Sequence, residues 1–145
     1  MSTAVNTFDV EAKASSLAPF RSKLRSLLEA SGFNSKMTHD LLLSVDEVLT
    51  NVIRHAYGGK SQDSEGDKIH VALSDFVDRV EITIEDRGPC FDPLRVPSPK
   101  LPPDQPGGLG IHFIRSLTDE VHYESLKPQG NRLRLVKYKK GKERN

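Results

Sequence analysis

The sequence is short of cysteine, tryptophan and long apolar runs, and these shortages exclude several classes of protein. Cys90 is the single cysteine, so no disulfide can form within the chain, which favours a reducing, cytoplasmic setting. No apolar run reaches the length of a membrane span, and the first residues lack the basic and apolar segments of a secretory signal. We therefore expect no membrane partner, and the 145 residues fit one domain.

The sequence also lacks an excess of either sign of charge. The chain has 21 basic and 20 acidic residues, a formal net charge of +1, so we expect no direct nucleic-acid partner. The one basic cluster lies near the C-terminus, where residues 139–145 are predicted to be a solvated basic tail.

The central stretch, residues 41–57, is predicted to be a helix with one wide apolar face. Glu47 and Asn51 lie one turn apart, on what we predict to be the opposite side. Taken alone, such a pair is most often a solvated surface stripe. The alternative is that a ligand covers it, with Asn51 offering a neutral oxygen to a cation such as Mg²⁺ and Glu47 orienting or deprotonating a nucleophile.

Apolar periodicity predicts the remaining elements. A strand is expected over residues 3–10, and a helix follows that Ser15 or Ser16 can cap and Gly32 can end. Asn34 or Ser35 can cap the central helix. Two hairpin-forming strands, a helix from Gly110 and two closing strands complete a β-α-α-β-β-loop-α-β-β order. That order predicts an α+β two-layer sandwich with helices on one face of the sheet.

A long loop with six of the nine prolines occupies residues 93–106. Proline blocks both helix and strand, and loops of this length in a compact domain are usually lids, binding loops or disorder. Gly107, Gly108 and Gly110 follow it. Glycines before a helix allow close approach of a phosphate to free N–H groups, although glycines also end loops for steric reasons alone.

Asp86 follows a predicted buried strand, with Gly88 two residues later. The simplest reading is a turn in which the carboxylate bonds the local backbone. The functional reading is a carboxylate that accepts a hydrogen bond from a base amino group, with Gly88 leaving room for the ring.

Together these motifs resemble the GHKL ATPase superfamily, in its bacterial anti-sigma-factor serine kinase branch. The N-box is DEVLTNVIRHAY, residues 46–57; the G1 box is EDRGPCFDP, residues 85–93; the G2 box is GGLGIHFIRSLTDEVHYE, residues 107–124; and a weak G3 box starts at Gly130 and Asn131. The resemblance covers about residues 5–138.

The resemblance implies a Bergerat ATP-binding fold with a mixed, mostly antiparallel sheet and a flexible ATP lid at residues 93–106. It implies Glu47 as catalytic base and Asn51 as Mg²⁺ ligand. The implied nucleotide-binding residues are Asn51, Asp86, Gly88, Gly107, Gly108, Leu109, Gly110 and Ile111. Candidates for supporting or lid contacts are His55, Arg95, Lys100 and Asn131.

Two departures from the superfamily pattern stand out. Pro89-Cys90 stands where the superfamily usually has another residue and a second glycine, which affects lid hinging more than adenine binding. Asn131 stands where a threonine is common, which puts one phosphate or base contact in doubt.

The resemblance implies an ATP- and Mg²⁺-dependent protein-serine kinase that acts as an anti-sigma factor. Its implied partners are ATP or ADP, a sigma factor or similar regulator, a STAS-domain antagonist whose serine is phosphorylated, and a second copy in a homodimer. The alternative is a nucleotide-responsive binding module that sequesters a regulator without significant kinase activity. A gyrase-type ATP hydrolase or a histidine kinase core fits less well, because no transducer domain or phospho-accepting helix pair is present.

Overall fold

The computed structural model describes residues 2–56, 67–89 and 110–139; for residues 2, 3, 55, 56 and 110–113 it describes the backbone only. The strands are β1 (Ser2–Glu11), β2 (Lys68–Phe76), β3 (Arg79–Asp86), β4 (Glu120–Ser125) and β5 (Asn131–Tyr138). The helices are α1 (Leu17–Ala30), α2 (Ser35–Asn51) and α3 (Gly110–Leu117). A 3-10 turn, Ala14–Ser16, precedes α1, and a π-helical turn, Val52–Ala56, continues α2.

The five strands form one sheet in the order β1-β2-β3-β5-β4. All four pairings between the described strands are antiparallel, where the family resemblance had led us to expect a mixed, mostly antiparallel sheet. The predicted hairpin of β2 with β3 forms, and the two closing strands, β4 and β5, also pair with each other. The α+β two-layer architecture is therefore confirmed.

The core lies between the helices and one face of the sheet. Alternate residues of β2, β3 and β5 are buried against the apolar faces of the helices, as the period-2 pattern predicted. Phe8 of β1 meets Phe20 of α1 edge to face, with ring centroids 5.3 Å apart. The other sheet face is polar, and Arg132 there pairs with Glu85 of β3 and Glu124 of β4.

The helix ends follow the sequence with one exception. Asn34 caps α2, its side chain accepting a hydrogen bond from the Met37 N–H, and Gly32 ends the α1 region at a φ of +97°. Ser16 occupies the N-cap of α1 but makes no capping hydrogen bond, contrary to prediction. The preceding 3-10 turn explains this, because its helical backbone at Ser16 is not the extended conformation that a capping side chain requires.

The polar stripe of α2 needs a correction. Ser44 and Thr38 are buried with the apolar face, so the buried arc is wider than the apolar residues alone indicated. Glu47 and Asn51 therefore lie half-buried on its flank and not on the opposite, solvent-facing side. In the described part of the chain, no helix combines the length and apolar character that crossing a membrane requires.

Candidate functional site

Asp86 is the last residue of β3 and lies on the helix-covered face of the sheet, where it is only 4% exposed. Its Oδ1 accepts hydrogen bonds from the Gly88 N–H at 2.8 Å and the Asn131 side-chain amide at 2.9 Å. No other described residue bonds the carboxylate, so Oδ2 is available to a ligand. The local turn and the ligand contact, which the sequence offered as alternatives, are thus compatible: each uses a different oxygen.

Burial raises the pKa of the Asp86 carboxyl above its ordinary value, because the charged form loses water. The hydrogen bonds from Asn131 and Gly88 act in the opposite direction and favour the carboxylate, but burial has the larger effect.

Asn131 begins β5 and pairs directly with Asp86 across the sheet. Its amide nitrogen donates to Asp86 Oδ1 and also to the Pro89 carbonyl, both at 2.9 Å. Its oxygen accepts a hydrogen bond from the Tyr123 hydroxyl at 2.5 Å. Sequence analysis identified Asn131 but missed Tyr123, since only the register of β4 against β5 brings that hydroxyl to the site.

The turn between β4 and β5 also contacts the chain after β3. Gly130 has a φ of +129°, and a Cβ there would lie 2.6 Å from the Asp86 carbonyl oxygen, so this approach requires glycine. The Gln129 amide donates to the Arg87 carbonyl at 2.7 Å. The segment from Asp86 to Pro89 is thus held from one side.

Asn51 ends the regular part of α2, directly before the π-helical turn, a feature common at functional sites. Its Oδ1 is buried and receives no hydrogen bond from the described residues. A buried amide oxygen without a donor is costly, and a hard cation would satisfy it. This oxygen therefore fits the Mg²⁺ role that the sequence predicted.

Glu47 lies one turn earlier on the same flank, about 6 Å along the helix axis from Asn51. Within the described ranges its carboxylate makes no hydrogen bond, so it can interact with a reactant. Its neighbour Asp46 pairs instead with Arg21 of α1, at 2.8 Å.

The third element, α3, begins at Gly110 and packs along α2. The first turn of this helix, with Gly110 and Ile111, therefore belongs to the helix layer that carries Glu47 and Asn51. The other predicted phosphate-loop residues, Gly107, Gly108 and Leu109, and the lid candidates Arg95 and Lys100, lie outside the described residues. His55 lies in the π-helical turn, where only its backbone is described.

Comparison with known proteins agrees with this arrangement. The family model of the histidine kinase-like ATPase domain matches residues 10–137, which contain every motif discussed above. The chain belongs to this family. Its GHKL resemblance is thereby confirmed.

Curated relatives identify the branch. The serine-protein kinase RsbW of Oceanobacillus iheyensis is 32% identical over 120 residues, covering 77% of this chain and 73% of the relative. The protein of the same name from Bacillus licheniformis is 37% identical over 111 residues, covering 67% of each. The one from Staphylococcus epidermidis is 32% identical over 143 residues, covering 92% of this chain and 87% of the relative. The chain is therefore an enzyme of the serine-protein kinase branch of the histidine kinase-like ATPases.

Two solved structures share the fold. The RsbU and RsbW domains of a Mycobacterium tuberculosis protein match with a TM-score of 0.64 and 17% identity, covering 93% of this chain and 32% of that one. The SiaB-SiaC complex of Pseudomonas aeruginosa matches with a TM-score of 0.60 and 15% identity, covering 92% and 89%.

Proposed function

We propose that this kinase uses ATP and Mg²⁺ to phosphorylate a serine of a STAS-type antagonist, and that it holds a sigma factor inactive in a partner-switching module. The buried Oδ1 of Asn51, which accepts no hydrogen bond from the described residues, is the observation that carries the nucleotide part of this proposal, because a hard cation such as Mg²⁺ would satisfy it. Family membership supports the kinase part, since the curated relatives bear the name serine-protein kinase.

The proposed reaction assigns each residue one task. Asp86 Oδ2 accepts a hydrogen bond from the adenine amino group, while the N–H groups at the start of α3 face the phosphates. Asn51 would hold Mg²⁺ through Oδ1, and the ion would supply charge neutralisation at the phosphate oxygens. Glu47 takes the proton of the partner's serine hydroxyl. At the same time the serine oxygen bonds to the γ-phosphorus, and the bond between the γ-phosphorus and the bridging β–γ oxygen breaks.

Gly107, Gly108 and Leu109 complete the proposed phosphate loop, and Arg95 or Lys100 is proposed to meet the γ-phosphate from the lid. A cytoplasmic homodimer that regulates transcription completes the proposal; it rests on the family resemblance, and sedimentation of the purified chain tests the dimer.

Transfer of phosphate from radiolabelled ATP to a purified STAS-domain partner tests the kinase role. Wild type is expected to produce phosphoserine, and Glu47→Gln to slow transfer by about 100-fold while ATP affinity stays unchanged, because the base is lost and the nucleotide contacts are not. Asp40→Asn is the matched control: it removes a carboxylate about 10 Å away on the same helix, one that pairs with Lys36.

Two results would contradict parts of the proposal. Transfer by Glu47→Gln at the wild-type rate would remove the base from the mechanism. A wild-type protein that binds ATP and the partner but yields no phosphoserine would instead be the nucleotide-responsive binding module.

A further inference from the structure

We infer that Asn131, oriented by Tyr123, is a positioning residue that makes Asp86 selective for a 6-amino purine over a 6-oxo purine. This inference rests on the proposed function, in which Asp86 contacts the base. It explains why an asparagine can stand at a position where the family resemblance implies threonine.

The side-chain amide of Asn131 has polar neighbours at both of its ends. Its NH₂ group faces two acceptors, the Asp86 carboxylate and the Pro89 carbonyl, and its oxygen faces a donor, the Tyr123 hydroxyl. An amide turned by 180° would place its oxygen against two acceptors. The two acceptors therefore fix one orientation of the amide, with its donor toward Asp86, and the Tyr123 hydroxyl holds the amide oxygen in that orientation.

The two oxygens of the Asp86 carboxylate have different roles. Asn131 and the Gly88 N–H both bond Oδ1, which fixes the plane of the carboxylate; a 180° rotation exchanges two equivalent oxygens and gives the same arrangement. Oδ2 is therefore presented in one direction as a pure acceptor. A purine amino group satisfies it, whereas a 6-oxo group places an acceptor against an acceptor.

The Asn131 amide also holds the backbone at Pro89. Because one NH₂ group bonds both the side chain of Asp86 and the carbonyl of Pro89, the carboxylate and the backbone three residues later are held together. Threonine has a single hydroxyl hydrogen and cannot donate to both at once. Asn131 thus stabilises the turn that contains Pro89, one of the two departures in the G1 box.

Competition binding of ATP and ITP to the full-length chain tests this inference, because inosine differs from adenine in carrying a 6-oxo group. We expect wild type to prefer ATP, Asn131→Leu to lose about tenfold of that preference, and Tyr123→Phe to lose a smaller part. Leu135→Val is the matched control: it lies in the core of the same strand, and we expect it to lower the melting temperature without changing the ATP/ITP ratio.

The outcomes separate the inference from the proposed function. If wild type does not distinguish ATP from ITP, the adenine contact of Asp86 itself is wrong. If wild type prefers ATP and Asn131→Leu keeps that preference, only the positioning role is wrong. Should Asn131→Leu fail to fold, Tyr123→Phe decides: an ATP/ITP ratio equal to that of Leu135→Val overturns the inference.

Discussion

At the scale of single residues, Asp86 shows how one side chain serves both the fold and the site. Oδ1 closes the turn through Gly88 and receives the Asn131 amide, and Oδ2 is available to the ligand. Its burial is unfavourable for the charged form, which is the cause of its raised pKa. If Asp86 had a structural role alone, a neutral side chain at this position would make the folded chain more stable.

We therefore predict that Asp86→Asn leaves the nucleotide-free chain at least as stable as wild type at neutral pH and lowers ATP affinity at least about tenfold. With its oxygen still on Gly88 and Asn131, the new amide would point an N–H donor at the adenine amino group. Thermal unfolding and calorimetric titration measure the two effects. Glu85→Gln is the matched control, since Glu85 is adjacent on the outer face and pairs with Arg132.

The same pKa shift predicts a pH dependence. Because the folded pKa of Asp86 lies above its unfolded value, the native state binds more protons between the two values, and stability falls as pH rises through that window. Relative to Asp86→Asn, the wild-type free energy of unfolding should decrease as pH rises from about 4. A constant difference between the two proteins across that range would contradict the shift.

Replacing Asn51 with leucine is also predicted to preserve or raise stability while impairing Mg²⁺-dependent nucleotide binding. Asn51→Leu removes a buried oxygen that lacks a donor, so we expect the nucleotide-free chain to be as stable as wild type or more so. The same change should abolish the Mg²⁺ dependence of ATP binding. Asn51→Asp keeps an oxygen ligand and should retain it; equal Mg²⁺ dependence in wild type and Asn51→Leu would exclude this side chain as the ligand.

The residues of the site differed in how far the sequence could identify them. Asp86 and Gly88 were located by their position at the end of a predicted strand, and Asn131 by the weak G3 box of the family resemblance. Tyr123 lies within the G2 box, but the resemblance assigns no contact to it. Its role depends on the pairing of β4 with β5. The half-buried position of Glu47 and Asn51 was also missed, because burial of Ser44 and Thr38 cannot be read from apolar residues alone.

At the scale of elements, the turn between β4 and β5 positions the chain that leaves β3. Gly130 packs against the Asp86 carbonyl, and Gln129 and Asn131 bond the backbone at Arg87 and Pro89. The sequence predicted the two closing strands that this turn joins but not the contact of the turn with Asp86. That contact depends on β5 pairing with β3, its non-sequential neighbour.

Two glycines with positive φ provide a matched test of this role. Gly130→Ala should lower both stability and ATP affinity, because its Cβ would lie 2.6 Å from the Asp86 carbonyl oxygen. A Cβ at position 32 would have no atom within 4 Å. Gly32→Ala should therefore lower the free energy of unfolding only by the backbone strain, about 1 kcal/mol, and leave ATP affinity unchanged. Thermal unfolding and ATP titration of both variants measure this; equal ATP affinities would refute the positioning role of the turn.

At the scale of the whole molecule, the order of elements followed from periodicity, and the strand order did not. Local hairpins are encoded by nearby turn residues, whereas the pairing of β3 with β5 joins segments about 50 residues apart. That pairing places Asn131 beside Asp86. Packing of α2 along α3 then brings the helix of Glu47 and Asn51 to the helix that starts at Gly110.

Calorimetric titration of Mg-ATP into the full-length chain, with thermal shifts by Mg-ATP and Mg-ADP measured alongside, tests the central claim most directly. The account predicts saturable binding with one nucleotide per chain, a raised melting temperature with either nucleotide, and weaker binding with a smaller thermal shift in Asp86→Asn. Absence of heat and of any thermal shift in wild type at saturating nucleotide would contradict it.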